Sequence, residues 1–547
     1  MSALDFIRST EFAPPSFTEE HVELAFLKLK RKNQMDFDDV CVLMLQYMFE
    51  ADPVVFTQWL RAMCCHSEFM SSLRARCRVF GKSSCHPFVW DLRAIVPMSS
   101  ILRLLDRVLE NRLQDFLFNV LLPVRGCFSA GKRYTQALDI GHAANLVMEK
   151  GLDQESEGAF AQADVLKYFD SLPILRILRW LIAQGADPAL VGAIGRHQLL
   201  TLVVIHVRGA VAAIHNRSSG GLTGSFLALL LARIPMESSL YELQSSLEPC
   251  GFPVLGTKLL VATYIDNVYA ASKFTSDACL NIELFFRHLQ DCWGLEVKPG
   301  SKVVMATRGA SDIQTVGNGW NVQDSVDVLG WQIQSDAGLQ AQWRHLVPKL
   351  WGVFFKNLRQ KGWRKLGIRR RFKLLSRTVK AVALRALSAW APTPHYVDQL
   401  NKLQRKMASK VLNLFRYPGL EWRAFRSWES RVASRHVEEV AGGWWAQEWM
   451  SRSLAWNNHL KRDWQQQRRF LELPRSTLCC PSSFVTNLSW AAALVHYHDE
   501  DWFDARRIFW VRHDGLRVAS RTGTRSAPGH VHMRWHDRIN YCKRMVG

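Results

Sequence analysis

Long apolar runs are missing from this chain. Across 547 residues the longest is Phe226 to Ala232, far short of the roughly 20 residues needed to cross a bilayer. A membrane protein is therefore not expected, and no secretory leader pattern stands at the start. Zinc-type cysteine spacing is missing too. Twelve cysteines occur, yet no two form a Cys-x-x-Cys pair. The adjacent pairs Cys64-Cys65 and Cys479-Cys480 are poor geometry for one tetrahedral ion. They are read as reduced intracellular thiols. Acidic residues nearly vanish from one stretch: residues 341–420 hold 19 Lys and Arg against a single acid, Asp398. No internal repeat is detectable. A hydrophobic content of 48% with 22% charged residues excludes a disordered polyelectrolyte.

What is present is unevenly placed. The net charge is +21, and residues 341–547 carry 39 basic and 14 acidic side chains, while residues 1–340 carry 31 and 35. The basic half also holds 15 of the 21 tryptophans. A basic face could be merely solvated, or drawn to an acidic membrane. Interleaving with aromatics favours nucleic acid as the polyanion. The length argues for about three domains.

Residues 259–270, Leu-Leu-Val-Ala-Thr-Tyr-Ile-Asp-Asn-Val-Tyr-Ala, set a polar pair between two β-rich runs. The spacing predicts a hairpin with Asp266-Asn267 at its tip. Alone, this is most simply an Asx turn between core strands. Upstream, Thr18-Glu19-Glu20 opens a helix, and residues 36–75 continue as helices of a small bundle. A strand carries Arg93, followed by an amphipathic helix from Ser99 to Leu113. Arg125 to Thr135 is a glycine-punctuated basic loop whose amides, with Lys132 and Arg133, could face phosphates; a surface turn is the plainer alternative. Asp164 ends a short strand, and Phe169 lies at the strand-to-helix turn after it. Asp170 is as readily a helix N-cap as a ligand. Gly220, Gly221 and Gly224 make a backbone-exposed loop before an apolar helix. After the hairpin, a helix over 276–293 ends at Gly294, and Lys298 to Lys302 follow. Residues 326–333 form a strand. Basic helices begin at 340 and include Arg370 and Lys373. One long amphipathic helix covers 395–415, and the remaining chain is helical and Trp-rich.

The order of these pieces resembles a reverse transcriptase of the non-LTR (LINE-type) retrotransposons, over about residues 85–415. Asp164 to Asp170 resembles the family's first catalytic motif, and Thr223-Gly224-Ser225 sits where it has Gln-Gly-Ser. Tyr264-Ile265-Asp266-Asn267 is similar to its aromatic-Ala-Asp-Asp box. Gly294-Leu295 to Lys302 is similar to the next motif, and Leu329-Gly330 to its primer-grip hairpin. Arg93 and the Gly126 to Arg133 loop match its fingers motifs. Beyond the basic helices, Trp456 to Arg462, and Arg525 to Pro528 with Arg534 to Ile539, resemble elements these retrotransposons carry after the thumb. The sequence departs from the pattern where Asn267 replaces the second Asp and Thr223 replaces a glutamine. No endonuclease pattern is recognisable.

The resemblance implies an α+β fold of right-hand polymerase type: fingers, a ferredoxin-like palm with an antiparallel sheet, and a helical thumb, with helical N- and C-terminal regions. The expected limits are 1–84 (N-terminal helices), 85–160 (fingers), 161–338 (palm), 339–420 (basic thumb) and 421–547 (Trp-rich helical region). It implies an RNA-directed DNA polymerase using two Mg²⁺ ions, or Mn²⁺, held by Asp164 and Asp266, with Asn267 beside them and Lys302 as proton donor. Lys132, Arg133, Phe169, Thr223 and Gly224 would contact the dNTP. Arg93, Gly221, Leu329, Gly330, Trp331, Arg370 and Lys373 would contact an RNA template or DNA primer. The protein would be intracellular, assembling with RNA in the cytoplasm and acting in the nucleus. A catalytically degenerate RNA- or hybrid-binding fold and a group II intron maturase-like enzyme are the alternatives.

Overall fold

Residues 159–164, Ala-Phe-Ala-Gln-Ala-Asp, alternate small and larger side chains, and the fold is arranged about that strand. The structure, a computed structural model, describes residues 5–452 apart from 6, 8, 11–12, 30–34, 37, 82–91, 122–126, 130–135, 154–156, 208–209, 255–256, 308–316, 318, 391, 393 and 450.

Helices α1 (Glu19–Lys28), α2 (Val42–Ala51), α3 (Pro53–Cys65) and α4 (Ser67–Ser72) come first. Strands β1 (Arg74–Gly81) and β2 (Leu92–Ile95) precede α5 (Ser100–Val120), β3 (Phe128–Ser129) and α6 (Ala137–Asp153). Then β4 (Ala159–Asp164) leads through α7 (Tyr168–Ser171), α8 (Ile174–Ala183) and α9 (Pro188–Leu199) to the hairpin of β5 (Leu202–Val207) and β6 (Ala210–Ile214). After α10 (Phe226–Leu247) come β7 (Phe252–Val254), β8 (Thr257–Leu259), β9 (Val261–Tyr264), β10 (Asn267–Ser272) and α11 (Thr275–His288). Strands β11 (Val303–Ala306), β12 (Asn321–Val322), β13 (Ser325–Val328) and β14 (Trp331–Gln334) follow, then α12 (Gln340–Leu358), α13 (Ile368–Leu375), α14 (Ala381–Leu387), α15 (Pro394–Leu412) and α16 (Trp422–Glu439).

The fold is mixed α+β, as expected. The main sheet has the order β12-β11-β4-β10-β9-β3. Its four central strands are antiparallel neighbours, while the edge pairs β11–β12 and β3–β9 are parallel. The expected antiparallel sheet is thus present in the central strands, with a parallel strand added at each edge. Side chains alternate across it. Ala159, Ala161, Ala163, Val268, Ala270 and Val304 belong to the core that also holds Ala278, Ile282 and Phe285 of α11. Alanine at three alternate positions lets that helix lie close, and an Ala161→Leu change would overpack the layer at a cost of about 1–3 kcal/mol. Phe160, Tyr269 and Met305 face the other way, into a core shared with α6, the β13–β14 hairpin and the helices after residue 340.

A second sheet, β2-β1-β5-β6, departs from expectation. Residues 74–81 fall in the segment expected to be helical, but they form β1. The cause is a period of two: Arg74, Arg76 and Arg78 are exposed, while Ala75 and Cys77 are buried. Residues 325–334 differ from the single strand expected over 326–333 but keep the hairpin that the resemblance implied at Leu329-Gly330. They are two strands joined at Leu329-Gly330, both with positive φ (53° and 93°), the type I′ geometry that suits a two-residue hairpin. No helix among the described residues is long and apolar enough to cross a membrane.

Candidate active site

Asp164 ends β4, and its cross-strand partner on β10 is Asn267. Asn267 pairs on its other side with Tyr264 of β9, so the turn between the strands is Ile265-Asp266. The tip therefore sits one residue earlier than the sequence pattern placed it. Ile265 carries the positive φ, 56°, a strained conformation for a β-branched residue. Ladder pairing on both flanks holds it. The Asp266 carbonyl accepts from Val165 N at 2.8 Å, which draws the turn against the chain just past Asp164. Both carboxylates then bear on one neighbour. Burial first, and after it Asp164, Asp266 and Asp327, push the Tyr269 hydroxyl well above its usual pKa. The Tyr168 hydroxyl is raised likewise, by burial and then by Asp266.

Asn267 Nδ2 donates to Asp266 Oδ1 at 3.0 Å. The amide thus orients the carboxylate next to it and keeps its own oxygen as an uncharged acceptor. The segment after Gly294 (φ 69°) closes the other side. Its Lys298 N donates to Asp164 O at 2.8 Å, and Lys298 Nζ lies 3.3 Å from Asp164 Oδ2. Asp164 N donates to Ser301 Oγ at 3.0 Å.

Lys302, the expected proton donor, is elsewhere. Its Nζ lies 2.6 Å from Glu283 Oε1 of α11, to which Trp320 Nε1 also donates at 3.2 Å. The reason is register. Val303 pairs with Gln162, which shares a face with Asp164, so the preceding residue falls on the opposite face, toward α11. One position along a strand exchanges the faces. Lys298 is the lysine that reaches Asp164.

The glycine loop is built into the same end of the sheet. Gly221 N donates to Phe169 O at 2.8 Å and Gly220 N to Leu172 O at 2.9 Å. Both glycines are buried, where an exposed loop was expected, because their amides satisfy the carbonyls of the Phe169 turn. A Cβ on Gly220, whose φ is 81°, would meet Asp170 O at 2.9 Å, and one on Gly221 would meet Ala228 Cβ at 3.1 Å. Gly221 thus packs internally instead of presenting backbone to a template. Gly224 is exposed with φ 112°, and Thr223 O accepts from Val96 N at 2.8 Å, which ties the loop to the strand of Arg93. Phe169 is half-buried, its ring 6.0 Å from that of Tyr168.

A buried polar network fixes the start of α10. Asp106 accepts from Ser225 Oγ, and its Oδ2 accepts from Phe226 N at 2.8 Å. Gln198 Nε2 donates to Ser225 Oγ, while Gln198 Oε1 accepts from Leu222 N. His197 Nε2 is 3.8 Å from Asp106. Burial raises the Asp106 carboxyl to about 7 and lowers His197 to about 4.

Trp331, expected at a template surface, is core. Its ring sits where a Cβ on Gly141 would touch at 2.7 Å, and its Nε1 donates to Arg385 O at 2.9 Å. Gly330 is exposed and Leu329 half-buried. Arg370 and Lys373 are exposed on α13 with Arg369, and Arg377 is exposed just after it. Arg371 turns inward to the carbonyls of Leu366 and Arg364. Arg74, Arg76 and Arg78 are exposed at alternate positions of β1, which pairs with the strand of Arg93, an arginine row that the sequence reading passed over although its alternate spacing was visible. Lys132, Arg133 and the tail motifs beyond 452 lie outside the described residues.

The donors at the sheet end suit a hard cation. Asp164 and Asn267 are cross-strand partners there with Asp266 in the adjoining turn, so two carboxylates and an amide lie at neighbouring backbone positions, and a lysine ammonium beside Asp164 shows that a positive group fits. The class these features define is a mixed α+β protein with paired aspartates at the end of its central strands. No protein-family model matches the chain, and no curated protein matches it.

Proposed function

We propose that this protein is an RNA-directed DNA polymerase of the LINE-type reverse transcriptases, with the main sheet as its palm and α12 to α15 as its basic thumb. One observation carries the proposal: the Ile265-Asp266 turn, the Gly220-Gly221 loop and the Lys298 segment, separate in sequence, each hydrogen-bond directly to the stretch 164–172 that leaves the end of β4.

In the reaction a primer 3′-oxygen attacks the α-phosphorus of a dNTP. A P–O bond forms in line with the one that breaks to release pyrophosphate, and the hydroxyl proton is lost. Asp164 and Asp266 would hold Mg²⁺ or Mn²⁺, whose charge would neutralise the entering and leaving oxygens. Asn267 keeps Asp266 oriented. Lys298 holds the loop that closes on Asp164 and sets an ammonium 3.3 Å from its carboxylate. Phe169, whose carbonyl the glycine loop holds, would exclude a 2′-hydroxyl. Lys132 and Arg133 would take the triphosphate. Arg369, Arg370, Lys373 and Arg377 would follow the backbone of template and primer.

Primer extension by the full chain on an RNA template tests this. Mg²⁺-dependent incorporation is expected, lost by at least a hundredfold in Asp164→Asn and Asp266→Asn with nucleic-acid binding retained. Folded wild type that incorporates nothing overturns it. A second reading, a hybrid-binding protein without catalysis, draws on Asn267 and on the Lys298–Asp164 pair. It expects salt-sensitive binding and no synthesis even with Mn²⁺.

A further inference from the structure

A second cluster of donor atoms lies away from the paired aspartates, where α10 packs against α11. Glu242 is on α10, His288 is the last residue of α11, and Cys292 lies in the single π-helical turn that follows, Leu289–Trp293. One donor atom from each lies within 4.8 Å of the other two. Cys292 Sγ is 3.9 Å from His288 Nδ1, and Glu242 Oε2 is 3.3 Å from the other ring nitrogen, Nε2, so a shared ion would take one of the two nitrogens. That Nε2 is closed to solvent and makes no hydrogen bond. Cys292 and Glu242 are exposed, so an ion can reach them.

The chemistry of the set is selective. A thiolate, an imidazole and a carboxylate are the mixed sulfur, nitrogen and oxygen ligands that zinc accepts in tetrahedral coordination. Mg²⁺ and Ca²⁺ take oxygen ligands instead. Residues four apart share a helix face, and the π turn re-aims Cys292 within that face; such turns recur at functional sites.

We propose that Glu242, His288 and Cys292 form a site for a zinc-type divalent cation, with three protein ligands and a water in the fourth position. Binding releases the thiol proton to solvent. The ion would join α10 to the π turn. That turn ends at Gly294 and runs directly into the segment whose Glu296 O accepts from Leu166 N and whose Lys298 reaches Asp164. Occupancy would therefore stiffen the base of the loop beside the candidate active site, although the proposal does not depend on the polymerase reading.

The test uses the full chain, stripped with chelator and titrated with Zn²⁺ and with Co²⁺ as a coloured substitute. Wild type is compared with Cys292→Ser and His288→Gln. We expect each variant to bind one Zn²⁺ fewer, to lose the thiolate-to-Co²⁺ absorption of that site, and to lose the Zn²⁺-induced rise in Tm. The comparison is differential because other cysteines are present. Circular dichroism of the metal-free proteins checks folding. Should either variant unfold, the surface change Glu242→Gln decides, with an expected tenfold or greater loss of affinity. Equal Zn²⁺ stoichiometry and equal Co²⁺ spectra in wild type and a folded variant overturn the site.

Discussion

At the residue scale, the candidate active site turns on two side chains beside the aspartates. Lys298 Nζ pairs with Asp164, with the lysine 53% and the aspartate 30% exposed. A pair this open to water contributes at most about 1 kcal/mol, roughly a fivefold factor. Lys298→Gln should therefore lower the Mg²⁺ concentration for half-maximal incorporation by about two- to fivefold, read from a metal titration of primer extension. An unchanged requirement would show that Lys298 leaves Asp164 in the working complex. Asn267 presents the opposite case. Asn267→Asp removes the hydrogen bond to Asp266 and puts a like charge beside it, which costs about 1 kcal/mol without metal. With Mg²⁺ the added carboxylate would become a ligand. The Mg²⁺-induced rise in Tm should then be larger in the variant than in wild type, as measured by scanning fluorimetry. Equal rises would exclude position 267 from the metal site.

At the element scale, α10 and the loop before it are held by Asp106, and this makes their stability depend on pH. The carboxyl is raised by burial from an ordinary 3.8 to about 7. Its contribution is fully present below pH 4 and is lost as pH rises through 7. His197, lowered from 6.5 to about 4, works the other way: its contribution is present above pH 6.5 and is lost as pH falls through 4. Asp106→Asn keeps one acceptor of two and cannot ionise. It should be less stable than wild type by about 1–3 kcal/mol at pH 5, with the gap narrowing by pH 8, in urea denaturation at both values. A gap independent of pH would place the ionisation outside folding. Gly220→Ala should destabilise by a similar amount, since its φ of 81° and the Asp170 carbonyl at 2.9 Å both oppose a Cβ. Such contacts mark where the sequence stopped being legible. Asp164 at a strand end, the hairpin, and the helices at 100–120, 275–288 and 394–412 could all be read from local periodicity and turn residues. Lys298 in place of Lys302 could not, because a single step along β11 exchanges the faces of the sheet. Nor could the inward packing of Gly221 and Trp331, or the Asp106–Ser225 network, since each needs at least one partner more than fifty residues away: Phe169, Arg385 and Asp106 respectively.

At the scale of the whole molecule, charge separates the acidic sheet end from two basic surfaces. One is the exposed run of Arg369, Arg370, Lys373 and Arg377; the other is the arginine row Arg74, Arg76 and Arg78 beside the strand of Arg93. A nucleic acid held across both would release counterions from each phosphate neutralised, and log Kd would depend linearly on log salt. Each basic side chain removed from a real contact lowers the slope by about 0.9 on a duplex and about 0.7 on a single strand. Arg370→Ala with Lys373→Ala should thus reduce the slope on a primer–template duplex by nearly two. It should weaken binding similarly for unrelated sequences, because phosphate contacts carry no base information. Arg76→Ala with Arg78→Ala should reduce the slope on a single-stranded template overhang and leave the blunt duplex unaffected, if the arginine row lies on the template side. Fluorescence anisotropy across a salt series measures all four combinations of variant and ligand. Parallel lines for wild type and both double variants would leave the charge asymmetry of the chain without a nucleic-acid partner, and would remove the main physical support for polymer binding.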